Sequence, residues 1–355
     1  MTVEPLVFTT REPTATVGEP SPSLHSSAVE NVHYGSIAVV SVDGGLRHWA
    51  GDPHWSTFTR STLKPFQALP FVREGGPSHF GWTSRQVALM CASHSGEPIH
   101  TEVVQSMLAS AQCDATQLQC GCHVPGFYAA LRRTPPVDEH WSTVEHNCSG
   151  KHAGFLAACR LHHEPVDDYL DPASPLQRRI AAAVGAVAGV APHTMGTGTD
   201  GCSAPNYALP LSRIALLYAL LAQGTQSPRE GESLGVLFDA MTQHPELVSG
   251  TSRSDLALMS LGAGDWVTKI GADGVQAIGI RSAGIGIAIK VADGNRDALY
   301  RVVIEVLEQL GLLSAGGLAA AAQRLDVGAW LRKNLHNSRG LPTGRIVPAF
   351  KLRTA

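Results

Sequence analysis

Charge is scarce in this chain: only 16% of its 355 residues are Asp, Glu, Lys or Arg, and the formal net charge is −3. With no basic surplus there is nothing to neutralise a phosphate backbone, so no nucleic-acid partner is expected. No apolar run reaches the ~18 residues that a bilayer span requires, so no membrane partner is expected either. The opening residues hold Glu4 and Glu12 instead of a basic patch followed by an apolar stretch, and no secretory signal is read there. Seven cysteines are an odd set for a disulfide framework, in a chain long enough to build its core without one. These absences lead to the expectation of a cytoplasmic enzyme with reduced thiols.

What is present is turn chemistry, with 36 Gly and 22 Pro, and a pattern that changes period along the chain. Residues 1–30, rich in Thr, Pro, Ser and Glu without apolar periodicity, read as a disordered extension. Residues 31–355 read as one catalytic domain. Two β-rich runs flank Asp43-Gly44-Gly45, a hairpin signal, and a short strand at Thr57-Phe58-Thr59 runs into Ser61. From about 61 to 262 the pattern is mainly helical, including a Thr83-Ser84-Arg85-Gln86 capping box. Strands then return at Trp266 to Ile270, Val275 to Ile280 and Ile285 to Val291, and a last helix starts at Arg296. The fold class expected is α/β (α+β). N- and C-terminal strands share one mixed, largely antiparallel sheet, with a helical lobe inserted between them.

Reactive side chains concentrate at a few points. Ser61-Thr62-Leu63-Lys64 is a Ser-x-x-Lys element read as opening a helix, where one turn puts both side chains on one face. Such a lysine can deprotonate the serine if its own proton is lost, which points to acyl transfer by a Ser-Lys pair. The plain alternative is an N-capping serine and a solvated lysine. Ser93-His94-Ser95 and Lys269-Ile270-Gly271 follow in the order used by penicillin-recognising serine hydrolases, although the middle element lacks Asn and the last lacks a hydroxyl. Ser93 and Lys269 are then a second Ser-Lys pair. Cys148 and Cys202, in two Gly-rich turns, can close on a zinc ion with Lys151 or His152. Two unlinked cysteines, or one disulfide, satisfy the same spacing.

On these residues the chain resembles the bacterial L-asparaginase II family of the thermolabile, rhizobial type. The likeness runs from about Val32 to Val291. It is carried by Arg60 to Gln67, Cys91-Ala92-Ser93-His94-Ser95-Gly96-Glu97, Asn147 to Gly154, Asp200-Gly201-Cys202 and Lys269-Ile270-Gly271. Cys122 departs from it, standing where the family usually has Pro, in a turn. The resemblance implies hydrolysis of L-asparagine to aspartate and ammonia on a serine β-lactamase or penicillin-binding-protein-like scaffold, as a homodimer. It implies two Ser-Lys tandems, Ser61-Lys64 and Ser93-Lys269, and a zinc site of Cys148, Lys151 and Cys202.

The mechanism expected has Ser61 attacking the carboxamide with Lys64 as base, while Ser93 and Lys269 help protonate the departing ammonia. The amino-acid end of the substrate needs a cation for its carboxylate and an acid for its amine. Arg60, His94, His152 and Asp200 are the candidates for substrate binding. Two other readings remain open. One is another serine hydrolase on the same scaffold (a β-lactamase, peptidase or esterase), and the other is a non-catalytic zinc-binding or sensor protein.

Overall fold

The structure is a computed structural model and describes residues 3–11, 28–313 and 334–355. The chain begins with β1 (Glu4–Arg11), β2 (Ala28–Ser41), β3 (Leu46–Ala50) and β4 (Ser56–Phe58). A 3-10 turn at Arg60–Leu63 leads into α1 (Lys64–Arg73), followed by α2 (Gly76–His79), α3 (Ser84–Met90), α4 (Pro98–Ser110), α5 (Gly126–Ala130), α6 (Ser149–Leu161) and α7 (Pro175–Ala188). A small ribbon of β5 (Gly196–Thr199) and β6 (Pro205–Pro210) precedes α8 (Leu211–Gln223), α9 (Gly231–Gln243), α10 (Pro245–Val248) and α11 (Ser254–Gly262). The chain then returns to the sheet through β7 (Trp266–Ile270), β8 (Val275–Ile280) and β9 (Ile285–Val291). It ends with α12 (Arg296–Gln309), β10 (Asn334–His336), β11 (Pro342–Pro348) and β12 (Arg353–Thr354).

The large sheet runs β10-β11-β1-β2-β9-β8-β7, with β3 beside β2 and β12 on β3. Its pairings are antiparallel. The N-terminal hairpin meets the C-terminal meander where Gly35 to Ser41 pair with Val291 to Ile285. The expected architecture of a mixed, largely antiparallel sheet with helices inserted between its halves is the one observed. Period-two patterning explains why both faces of the sheet are covered. Ile37, Val39, Ile287 and Ile289 face α12, while Ala38, Val40, Ala277 and Ala288 face the helical lobe. α8 lies directly on that second face because Gly279 and Gly286 sit under it. A Cβ at Gly286 would collide with the Ala215 carbonyl, and one at Gly279 with the Tyr218 carbonyl.

Three differences from the sequence reading matter. Glu4–Arg11, placed by composition in a disordered extension, is a strand between β2 and β11 with Leu6 and Val7 fully buried. Averaging over the polar segment hid its short apolar centre; the rest of the expected extension, residues 12–27, lies outside the described residues. Second, Ser61 does not open α1: it sits in the 3-10 turn and the helix starts at Lys64, with Pro65 in its first turn. Third, the ribbon β5–β6 was not foreseen; its pairing with β4 carries Asp200 and Cys202 toward Arg60. Among the described residues, no helix is long and apolar enough to cross a membrane.

Candidate active site

The approach to Ser61 is held in an unusual backbone conformation. Arg60 has φ of +50°, a left-handed value that costs a non-glycine residue energy and persists only where surroundings impose it. Asn206 on β6 imposes it, its Oδ1 accepting from Arg60 N (3.1 Å) and from Thr59 Oγ1 (3.1 Å). The turn brings Ser61 to a cavity of about 120 Å³ that Ser93, Asn147, Arg253, Ile270, Arg296 and Tyr300 also line. Ser93 reaches it from the segment after α3, where Ser93 N–H donates to Val248 O (2.9 Å) and His94 N–H to Asn147 O (3.1 Å). A larger cavity of about 270 Å³ by Val7, His33 and Asn295 contains no serine–lysine pair.

Lys64 is 1% exposed. It donates to Ser93 Oγ (3.0 Å), to Cys148 Sγ (3.2 Å) and to the Ala92 carbonyl. The side chains of Ser61 and Lys64 make no hydrogen bond with each other among the described residues, although the Lys64 backbone N–H donates to the Ser61 carbonyl; the lysine side chain reaches across to Ser93. Nor does Ser93 bond to Lys269. Lys269 Nζ lies 3.3 Å from Asp255 Oδ2 and 2.9 Å from Ile270 O, one residue behind the cavity wall. Asp255 also accepts from Thr268 Oγ1 (2.9 Å), Ile270 N (3.0 Å) and Gln276 Nε2 (3.2 Å). Burial pulls Lys269 down to about 8 despite that carboxylate. Burial pushes Asp255 up, but Lys269 and the three donors outweigh it and hold the carboxyl below its usual range. The pair is therefore ionised at neutral pH.

Cys148, Lys151 and Cys202 do converge. Lys151 Nζ is 3.0 Å from Cys202 Sγ, and Cys202 lies near Cys148. The Cys202 sulfur, with Lys64 and Lys151 nearby, holds the buried Cys148 thiol well below its ordinary value, and Cys148 in turn raises Cys202. Burial pulls Lys151 down, but the two sulfurs outweigh it and keep it an ammonium. His152 bonds Tyr169 Oη through Nδ1 (2.7 Å), and its Nε2 is buried beside Cys202 without a hydrogen-bond partner. Two soft sulfurs and an orphaned imidazole nitrogen suit zinc, and Lys151 can join them as a ligand only once the metal displaces its proton. No three His, Cys, Asp or Glu side chains converge closely enough to hold a metal by themselves among the described residues, so the set needs the Lys151 amine.

The four substrate-binding candidates lie elsewhere than the cavity wall. Arg60 is engaged by Asp200 (2.8 Å) and by Asp273. His94 is fully buried; burial, with His100 beside it, drives it well below its ordinary value. Its Nδ1 accepts from Gly96 N (3.1 Å) and its Nε2 donates to Ser149 Oγ (2.9 Å). Burial likewise lowers His152 to about 4. Both imidazoles are neutral and offer no cation. The cations that line the cavity are Arg253 and Arg296, which the sequence reading passed over. A signal was present: both begin a helix, at the N-cap of α11 and the first residue of α12, where the helix dipole disfavours positive charge.

Among curated proteins, none matches the chain. Among solved structures, a β-lactamase from Mycobacterium bovis is similar at 16% identity and a TM-score of 0.41, over 84% of this chain and 99% of that one. The native form of Mglu is similar at 14% identity and a TM-score of 0.44, over 79% of this chain and 65% of that one. The model of the L-asparaginase II family matches residues 23–348. Matched along nearly its whole length, the chain belongs to the L-asparaginase II family and is an asparaginase-type amidohydrolase.

Proposed function

We propose that the protein hydrolyses L-asparagine to L-aspartate and ammonia through a serine acyl-enzyme. The observation that carries this reading is the 3.0 Å contact of Lys64 Nζ with Ser93 Oγ, at a cavity that Ser61 shares. Lys64, acting as the base, takes a proton from Ser61 by way of the Ser93 hydroxyl, and Ser61 Oγ bonds to the side-chain amide carbon. The C–N bond then breaks, the lysine proton leaves with ammonia, and water cleaves the ester with Lys64 again as base. A second reading, favoured by the same contact, makes Ser93 the nucleophile.

The cavity's small size supports an amino-acid amide over a β-lactam, peptide or bulky ester, since drug-sized ligands need ~300 Å³ or more. Cys148, Lys151 and Cys202 would hold the zinc, with His152 Nε2 adjacent. When bound there, zinc supplies a Lewis-acidic centre that keeps both sulfurs as thiolates. Lys269 and Asp255 serve as an ion pair behind the wall. All seven cysteines are free thiols, which supports a cytoplasmic setting, and the resemblance supports a homodimer.

Ammonia release from L-asparagine by wild type, Ser61→Ala and Ser93→Ala, with mass spectrometry of the quenched enzyme, tests the proposal. The expected adduct is an aspartyl ester on Ser61, with turnover falling by roughly 10³-fold or more in Ser61→Ala. An adduct on Ser93 selects the second reading, and a wild type that releases no ammonia, with or without zinc, refutes both. Metal analysis should find zinc in wild type and none in Cys148→Ser or Cys202→Ser.

A further inference from the structure

Arg253 and Arg296 line the cavity together with Ser61 and Ser93. Arg253 is partly buried at the head of α11; Arg296 is exposed at the head of α12. Among the described residues, neither guanidinium makes a hydrogen bond or a salt bridge. No carboxylate lines the cavity either. This is an expensive arrangement. Two like charges face one space, each at the positive end of a helix, and one of them is partly desolvated. Three other arginines that are at least partly buried face carboxylates: Arg60 against Asp200, Arg179 against Glu164 and Arg301 against Glu305. Two arginines at one cavity with no carboxylate in its lining suit an anionic ligand.

We infer that Arg253 and Arg296 receive the α-carboxylate of the substrate, and so select amides that carry an acid group. The inference rests on the asparaginase reading for the identity of that substrate. A guanidinium presents a planar fork of donors that matches a carboxylate bidentately, and the helix N-termini add their partial positive charge. Anchoring this end fixes where the side-chain amide falls relative to the two serines. Burial lowers the Arg253 guanidinium from its ordinary value; Tyr300, Asp255 and Glu97 oppose that shift without cancelling it, and Arg296 adds to it. An anion between the two relieves that strain.

The carboxylate does not change charge during reaction, so its contacts act equally on the ground and transition states and are read mainly in KM. In Arg296→Met, and separately in Arg253→Met, KM for L-asparagine should rise roughly 10- to 100-fold, as loss of a charged hydrogen bond predicts, while kcat at saturation changes far less. Arg296→Lys should fall between wild type and Arg296→Met. Calorimetric titration with succinate, a carboxylate without an amide, should show binding to wild type that both Met variants lose. Because Arg296 is exposed, its variant stays informative if Arg253→Met fails to fold. Unchanged KM and succinate affinity, a loss confined to kcat, or a wild type that does not bind succinate overturns the inference. A wild type that releases no ammonia but binds succinate through these arginines overturns the asparaginase reading and leaves this one standing.

Discussion

Lys64 and Lys269 are both sealed from solvent, at 1% and 0% exposure, yet they have different company. Lys269, on the sheet, faces a carboxylate whose other lone pairs are filled by Thr268, Ile270 and Gln276. A buried ion pair of this kind recovers its desolvation cost only through such secondary hydrogen bonds, and here the recovery is partial, since burial still pulls Lys269 down to about 8. Lys64, in the helical lobe, meets a carbonyl, a hydroxyl and a sulfur, and no carboxylate among the described residues. Its partners include an oxygen that can give up a proton and attack. Burial alone does not make a lysine reactive; the acceptors around it decide.

The comparison is broken most directly at Lys64. Lys64→Met should lower kcat/KM for L-asparagine by roughly 10³-fold or more, because general-base activation and its proton return are both lost. Lys269→Met should act on stability, costing about 3–5 kcal/mol in urea denaturation by leaving Asp255 charged and alone. The double variant Lys269→Met, Asp255→Asn should recover much of that loss. If Lys269→Met instead keeps its stability and loses turnover, the contrast fails and Lys269 joins the reacting groups, as the second tandem of the resemblance has it.

A pH series sharpens the contrast further. Lys269 releases its proton near 8 when folded and near 10.5 when unfolded, so between these values the unfolded chain binds more protons. Stability contributed by this group therefore rises with pH across that window. This pH-linked increment is absent below about pH 8, where both states are protonated. The difference between wild type and Lys269→Met should grow in favour of wild type by on the order of 3 kcal/mol from pH 8 to 10.5. A flat difference would mean the pair titrates as a closed unit. The smallest effect concerns the support of Ser93. Thr83 caps α3, its hydroxyl accepting from Arg85 N, with Gln86 closing the box. Thr83→Ala should cost about 1 kcal/mol of stability and loosen the Ser93 segment beyond the helix, leaving the Lys269 pair unaffected.

Much of the fold was legible because it is written in short-range signals. β7, β8 and β9 occupy the residues read for them, since each apolar run is bounded by an Asp273-Gly274 or Ala283-Gly284 turn. α3 follows its capping box for the same reason. β1 escaped because its partners, β2 and β11, are set by packing against distant strands. In the site, Ser61, Lys64, Ser93, Cys148 and Cys202 were singled out and stand in one neighbourhood, but their pairing was not readable. Lys64 meets a serine 29 residues away in preference to the one three positions before it. Asp255, which claims Lys269, carried no motif, and Arg253 and Arg296 stood out only by offending the helix dipole.

The sequence by itself determined the alternation of strand and helix, the family and the inventory of reactive groups. Periodicity, turn residues and local motifs act over a few positions and need no other part of the chain. The tertiary structure decided which lysine serves which oxygen, which arginines are left without a counter-ion, and which histidines are neutral. Each of these depends on burial and on partners brought together from different elements, and a side chain's charge and reactivity are set by that company.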